Sequence, residues 1–334
     1  MYRLLSRLLK LFAFAVFLLS VWPTRAQLAV QTSDFTVTTT DAAHVVIHVH
    51  HKFGPAPLKI PVLLIHGTWG NSGTWDFPGR SVMDYLAVRG YDVYALDLRG
   101  MGLFQVNPPP YSQIDIFSRV NDAVAVAQFI VNTTHQAPVV MGWSQGGAIT
   151  GLLAELRPDL VAGVGLLSVP RDGFIVPNDP DLLAALSTLI PSPANPNPPP
   201  SFIPTPHEVN EVAFGTDPIT GKPTISPDAF ATFVSPQFLQ PDSTNAILEE
   251  AALSGFFVTY LQPAWQAINM PALVVDGYLD PLVGEKPATD LFNALSSTNK
   301  QLIIFARNSH GWFLEDNHDE TDKVFDHFLS QFGH

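Results

Sequence analysis

The sequence predicts an α/β fold: a mostly parallel central sheet, covered by helices on both faces, with an inserted and mainly helical cap. Three observations predict it. Six apolar runs of strand length recur along the chain, several closed by glycine: 61–67, 91–97, 137–143, 160–169, 271–277 and 300–307. Strands buried on both faces read as continuous apolar runs rather than alternating ones. Helical segments fall between these runs, and strand–helix alternation makes a parallel sheet. Finally, the rhythm stops from 170 to 268, which marks an insertion.

Each element has its own signal. Residues 34–53 alternate and are rich in Val, Thr and His before Gly54-Pro55, which predicts two antiparallel strands at one sheet edge. Helices are expected over 80–89, 113–131, 148–157, 285–295 and 316–332. The second carries Ile116, Val120, Val124, Ala127 and Ile130 at helical spacing, and Pro158 stops the third. Residues 191–206, "PSPANPNPPPSFIPTP", exclude regular structure, because proline removes backbone donors. Phe214, Phe230, Phe233, Phe238, Phe256, Phe257 and Trp265 argue that the insertion folds rather than remaining a disordered linker. The expected organisation is therefore 1–26 leader, 27–169 core, 170–268 cap and 269–334 core.

The leader reading rests on Arg3, Arg7 and Lys10, an apolar run over 11–21, and Thr24-Arg25-Ala26 before Gln27. This is the layout of a secretory signal peptide, so a secreted or periplasmic protein is expected, with no stable membrane span after cleavage. Cleavage takes the formal charge from −13 to −17, since residues 1–26 hold four basic residues and no acids. Such a surface repels phosphate backbones, so no nucleic-acid partner is expected. The 334 residues include no cysteine, which excludes disulfides, thiol nucleophiles and thiolate-bound metals. Asn132-Thr133-Thr134 is a sequon for glycosylation in a eukaryotic host.

The chemistry centres on Gly142-Trp143-Ser144-Gln145-Gly146-Gly147, set between an apolar strand and a helix. A sharp strand-to-helix turn lifts a serine clear of the sheet and forces the residues two before and two after it together. Only small residues fit there. A βα turn with a solvent-facing serine is the plainer alternative. A nucleophilic serine needs a base, and the base needs an orienting acid. The strands after the insertion end in "DGYLDPLV", offering Asp276 and Asp280, and "FARNSHGWFLED", offering His310.

These segments, with "HGTWGNSGTW" (66–75) and "DLRGMG" (97–102), resemble the α/β-hydrolase family, specifically its cap-bearing members. The likeness spans nearly all of the chain after the leader except the cap. It implies Ser144 as nucleophile, His310 as general base and Asp280 as orienting acid. Asp276 is then structural, and Asp172 is the alternative acid. It also implies an oxyanion hole from the backbone N–H groups of Gln145 and Thr68, and a loop-shaping role for His66. Trp69 and Trp143 would flank the substrate pocket or simply pack. Relatives that open epoxides or displace halide carry aspartate in place of serine, so Ser144 disfavours those reactions.

Other histidines compete poorly for the base. His318, His327 and His334 read as exposed. His44, His48 and His50 fall on one strand face with no acidic residue beside them in sequence, which reads as a polar edge and not a metal site. No metal or cofactor is expected. The resulting function is hydrolysis of small-molecule or lipid-like carboxylic esters, apolar or aromatic, through an acyl-enzyme on Ser144. Two alternatives remain: an aminopeptidase or carbon–carbon bond hydrolase with the same triad, and a non-catalytic binding protein. An aminopeptidase needs cap carboxylates for an ammonium group, and Glu208, Glu211, Glu249 and Glu250 are candidates.

Overall fold

The computed structural model describes residues 29–55, 58–68, 70–102, 116–169, 213–235, 237–238 and 264–333. The strands are β1 (Gln31–Thr38), β2 (Val46–Phe53), β3 (Pro61–Ile65), β4 (Asp92–Leu96), β5 (Val139–Trp143), β6 (Gly163–Leu167), β7 (Ala272–Gly277) and β8 (Lys300–Phe305). They form one eight-stranded sheet in the order β1-β2-β4-β3-β5-β6-β7-β8. β2 runs antiparallel to both β1 and β4, and every other neighbouring pair is parallel. The antiparallel edge expected over 34–53 is therefore present.

Why the apolar runs become strands is visible in β3, whose five residues are all buried. Val62 and Leu64 point to one face, where they meet Val82 and Leu86 of helix α1 (Val82–Ala87). Leu63 and Ile65 point to the other, among Val120 and Ile130 of α2 (Ile116–Thr134) and Leu153 of α3 (Gln145–Leu156). Strand side chains alternate, so a strand sandwiched between helix layers needs apolar residues at every position. Among the described residues, α5 (Glu285–Ala294) completes the α2–α3 layer through Leu291, and α7 (Lys323–Leu329) completes the α1 layer through Phe325 and Phe328. Helix α4 (Pro227–Phe233) lies within the insertion.

Three local expectations change. The helix expected over 148–157 begins at Gln145, directly after the serine, because small residues let its first turn press against the sheet. The helix expected over 316–332 is instead α6 (His318–Thr321), then α7, then a tighter 3-10 turn from Ser330 to Phe332. His44 is not on a strand. It sits in the β1–β2 turn at φ 46°, exposed, while β2 starts at Val46.

Most of the expected cap lies outside the described residues, including 191–206. The part described, 213–235, docks on the core. Phe233 and Phe238 are buried against the α1 face together with Phe77 and Trp143. Trp265 is fully buried in the opposite layer against α3; a Cβ at Gly151 would fall 2.4 Å from its ring. No helix among the described residues is long and apolar enough to cross a membrane.

Candidate active site

Ser144 sits between the end of β5 and the start of α3 at φ 55°, ψ −120°, a backbone state costly for any residue with a Cβ. Such strain is worth about 1–3 kcal/mol and persists only where the surroundings enforce it. Here they do. The Ser144 N–H donates to Leu167 O at 2.8 Å, and Ser144 O accepts from Gly147 N at 2.9 Å. A Cβ at Gly142 would lie 2.0 Å from Gly146 O, and one at Gly146 would lie 2.3 Å from Ile65 O. The two glycines flanking the serine are thus demanded by backbone-on-backbone contact. Ser144 is 4% exposed.

His310 and Asp280 come from the loops after β8 and β7. His310 Nδ1 donates to Asp280 Oδ2 at 2.7 Å, with both residues buried. Asp280 Oδ1 accepts from Leu282 N at 2.7 Å and Val283 N at 3.0 Å. Burial pushes the Asp280 carboxyl up, but the His310 charge and these hydrogen bonds outweigh it and hold the group below the usual carboxylate value. An ionised Asp280 fixes the imidazole tautomer, leaving Nε2 as the basic nitrogen.

Two contacts join the histidine to its surroundings. Trp143 Nε1 donates to His310 O at 2.8 Å, so the residue preceding Ser144 holds the backbone of His310. Trp143 is 3% exposed and packs edge-on against Phe313 at 5.4 Å, so its ring anchors this loop. Glu315, which sequence reasoning missed, is fully buried beneath the same loop. It accepts from Ser309 N (2.9 Å), Asn308 Nδ2 (2.8 Å), Thr224 Oγ1 (3.0 Å) and Ser309 Oγ. The "SHGWFLED" segment offered a signal, an acid five residues after the histidine, but nothing in sequence pointed it inward.

The loop after β3 approaches from the other side. A Cβ at Gly67 would be 3.2 Å from the Cβ of Ser144, so glycine is what lets this backbone reach the serine. Thr68 follows it, half-buried. Trp69 lies outside the described residues, as does Asp172. His66 shapes the loop as expected: Nδ1 donates to Gly67 O at 2.7 Å and Nε2 accepts from Leu98 N at 3.1 Å. Complete burial pushes its pKa down to about 4, so it stays neutral. Gln145 opens α3, where backbone N–H groups lack intrahelical acceptors. Its side chain accepts from Arg119 Nη1 at 2.8 Å.

The β2 histidines are not a plain polar edge. His48 binds Asp97 (2.9 Å) and Asp34 (3.1 Å); His50 binds Asp34 (2.7 Å) and Asp76 (3.1 Å). The acids that seemed absent in sequence are delivered by neighbouring strands and loops: Asp34 stands opposite His50 in the β1–β2 register. They line a cavity of about 240 Å³ together with the 71–73 turn, Gln237 and Phe238. Among the described residues no group of acids and histidines is arranged to hold a metal ion. His327 is exposed as expected, whereas the His318 side chain is only 17% exposed, 3.6 Å from Asp322. His334 lies outside the described residues.

The family model of the alpha/beta hydrolases matches residues 62–324, which is most of the chain. This protein is an α/β hydrolase. Among curated relatives, the pyrethroid hydrolase of Sphingobium wenxiniae is 28% identical over 127 residues, 36% of this α/β hydrolase. The match spans 42% of that relative's own length. Solved structures share the fold at lower identity. An esterase from Exiguobacterium antarcticum superposes with TM-score 0.66 and 15% identity, covering 88% of this chain and 98% of its own. The enol-lactonase from Burkholderia xenovorans gives 0.65 and 16%, covering 89% and 100%.

Proposed function

We propose that this α/β hydrolase is a serine hydrolase that cleaves carboxylic esters of apolar or aromatic substrates. The reading is carried by a serine held at φ 55° by its flanking glycines, whose neighbour Trp143 binds the backbone of a histidine with its Nδ1 bonded to a buried carboxylate. Ser144 Oγ attacks the ester carbonyl while His310 Nε2 takes its proton. The imidazolium keeps its Nδ1–H on Asp280, which stabilises the positive charge. Backbone N–H groups of Gln145 and Thr68 hold the tetrahedral oxyanion, each worth about 10²–10³ in rate. His310 then protonates the leaving alcohol, and water activated by the same nitrogen releases the acid.

The aromatic setting supports an apolar substrate. Phe214, Phe233 and Trp143 pack edge-on or tilted near the His310 loop, with Trp143 5.3 Å from the imidazole. A pyrethroid, the substrate class in that relative's name, is itself an apolar ester. The carboxylates an aminopeptidase would need (Glu208, Glu211, Glu249 and Glu250) lie outside the described residues. Export, with cleavage before Gln27 to a secreted or periplasmic enzyme, belongs to the same proposal; an intact N-terminus on exported protein would overturn it.

The test uses the protein from Gln27 onward. A fluorophosphonate should label Ser144, located by mass spectrometry of the digest, and p-nitrophenyl esters of graded chain length should be turned over. Ser144→Ala should lower kcat by about 10⁶. Label without ester turnover would move the reading to peptide or carbon–carbon bonds. No label, or a Ser144→Ala variant with most of its rate, would overturn it in favour of a binding protein.

A further inference from the structure

Asp276 is the penultimate residue of β7 and is completely buried. Its Oδ1 accepts from Ser168 Oγ at 3.0 Å and from Gly277 N at 2.8 Å. Its Oδ2 is buried with no donor against it. The charged group acting on this carboxyl is Asp280, whose N–H donates to Gly277 O at 3.1 Å in the turn directly after Asp276 and whose own carboxyl binds His310. Two ionised carboxylates in contact repel, and each offers only acceptors. One shared proton turns the contact into a strong hydrogen bond.

The donor pattern says which acid keeps that proton. Asp280 already receives His310 Nδ1, Leu282 N and Val283 N, which favour its ionised form. Asp276 receives donors on Oδ1 alone. Burial, then the Asp280 charge beside it, pushes the Asp276 carboxyl well above the ordinary value. Ser168 is placed for this contact. It follows β6 at φ 47°, unusual for a residue with a side chain, and its N–H is fixed on Val275 O at 2.8 Å. Its hydroxyl thus reaches across the sheet to the Asp276 oxygen.

We infer that Asp276 is a positioning residue of the triad: a neutral carboxylic acid whose Oδ2–H donates to the Asp280 carboxylate and locks it against His310. Ser168 sets the rotamer of that acid. The cluster then holds one negative charge, not two, so the imidazolium formed in catalysis is paired one-to-one. The inference rests on the triad proposed above. A carboxylic acid kept neutral by burial so that it can donate is an arrangement enzymes use elsewhere.

The experiment compares Asp276→Asn, Asp276→Val and Ser168→Ala by kcat, KM and the pH profile of kcat/KM on one p-nitrophenyl ester. Asn keeps an acceptor for Ser168 and Gly277 and puts an N–H where the acid proton was. Val should lose about 10–100-fold in kcat with KM little changed, the usual cost of removing a partner behind a reacting group. Asn should recover at least tenfold over Val and leave the acid limb of the profile in place. A downward shift of that limb by about one unit or more in Asn would mean that a charge had been removed, so Asp276 was an anion. Wild-type kcat in Val would equally overturn the inference. If Val does not fold, the Asn limb decides by itself, and the carbonyl stretch of a neutral acid, present in wild type and lost in Asn, reads the proton directly. Failure of the triad reading is separate: Asp280→Ala or His310→Ala would then retain ester turnover.

Discussion

Replacing Trp143 by Phe removes one hydrogen bond and little else. The ring keeps its edge-on contact with Phe313 and its place beside Phe233, while Nε1, the donor to His310 O at 2.8 Å, disappears. The carbonyl left behind belongs to a residue only 3% exposed, so water does not replace the indole easily. Leaving a buried acceptor unpaired costs about 1–3 kcal/mol. Taking the middle of that range, about 2 kcal/mol, and roughly 2–4 °C per kcal/mol for a large domain, thermal unfolding should fall by about 4–8 °C. Because the lost bond holds the backbone of the base, kcat should also fall by about tenfold, as 1.4 kcal/mol of misplacement in the transition state implies. KM across esters of graded chain length should hold steady, since the indole is packed away. Thermal denaturation and steady-state kinetics on the same preparation read both. An unchanged melting temperature and kcat, with KM altered for the longer esters, would refute the argument and return Trp143 to the pocket wall.

Two further predictions follow from local geometry and charge. Gly142→Ala should abolish soluble, labelled protein, because its Cβ would sit 2.0 Å from a backbone oxygen that has no room to move; soluble yield and fluorophosphonate labelling check it. The His48–His50 cluster should make stability fall on the alkaline side. Burial opposes protonation of His48, but Asp97 and Asp34 outweigh it; His50 is raised by Asp76 and then Asp34, with Lys52 also on Asp76. Both pKa values lie above the ordinary 6.5, so this stability is fully present below 6.5 and is lost as pH rises through the raised values. Urea midpoints should therefore drop from pH 6 to pH 9 in wild type and flatten in His48→Gln/His50→Gln; equal slopes would discard the cluster as their source.

What could be read in advance and what could not divides along a physical line. Strands β3 to β7 were legible because each is buried on both faces, which writes an apolar run into the chain, and the elbow was legible because backbone contact admits only glycine. The pairing of Asp280 with His310 was legible through their places after β7 and β8. The acids of the histidine cluster were not legible because they come from 14, 16, 26 and 49 residues away, brought in by strand pairing and the 71–76 turn. The Trp143 bond to His310 O was not legible because sequence shows a large ring beside Ser144 but not which way it points. Glu315 and Ser168 were invisible for the same reason: an acid near a chain end and a serine after a strand resemble surface residues until the packing turns them inward.

Residues 213–224 are stitched into the loop that carries His310. His310 N donates to Ala213 O at 3.2 Å, Gly215 N donates to Ser309 Oγ at 3.1 Å, and Thr224 bonds Glu315. Residues 213–224 and 308–316 are therefore a single inheritable unit, although some 90 positions separate them in the chain. A graft that exchanges the insertion for another cap must keep its breakpoints outside both segments or carry the two together. Recombination at residue 213 would leave the His310 loop without these bonds.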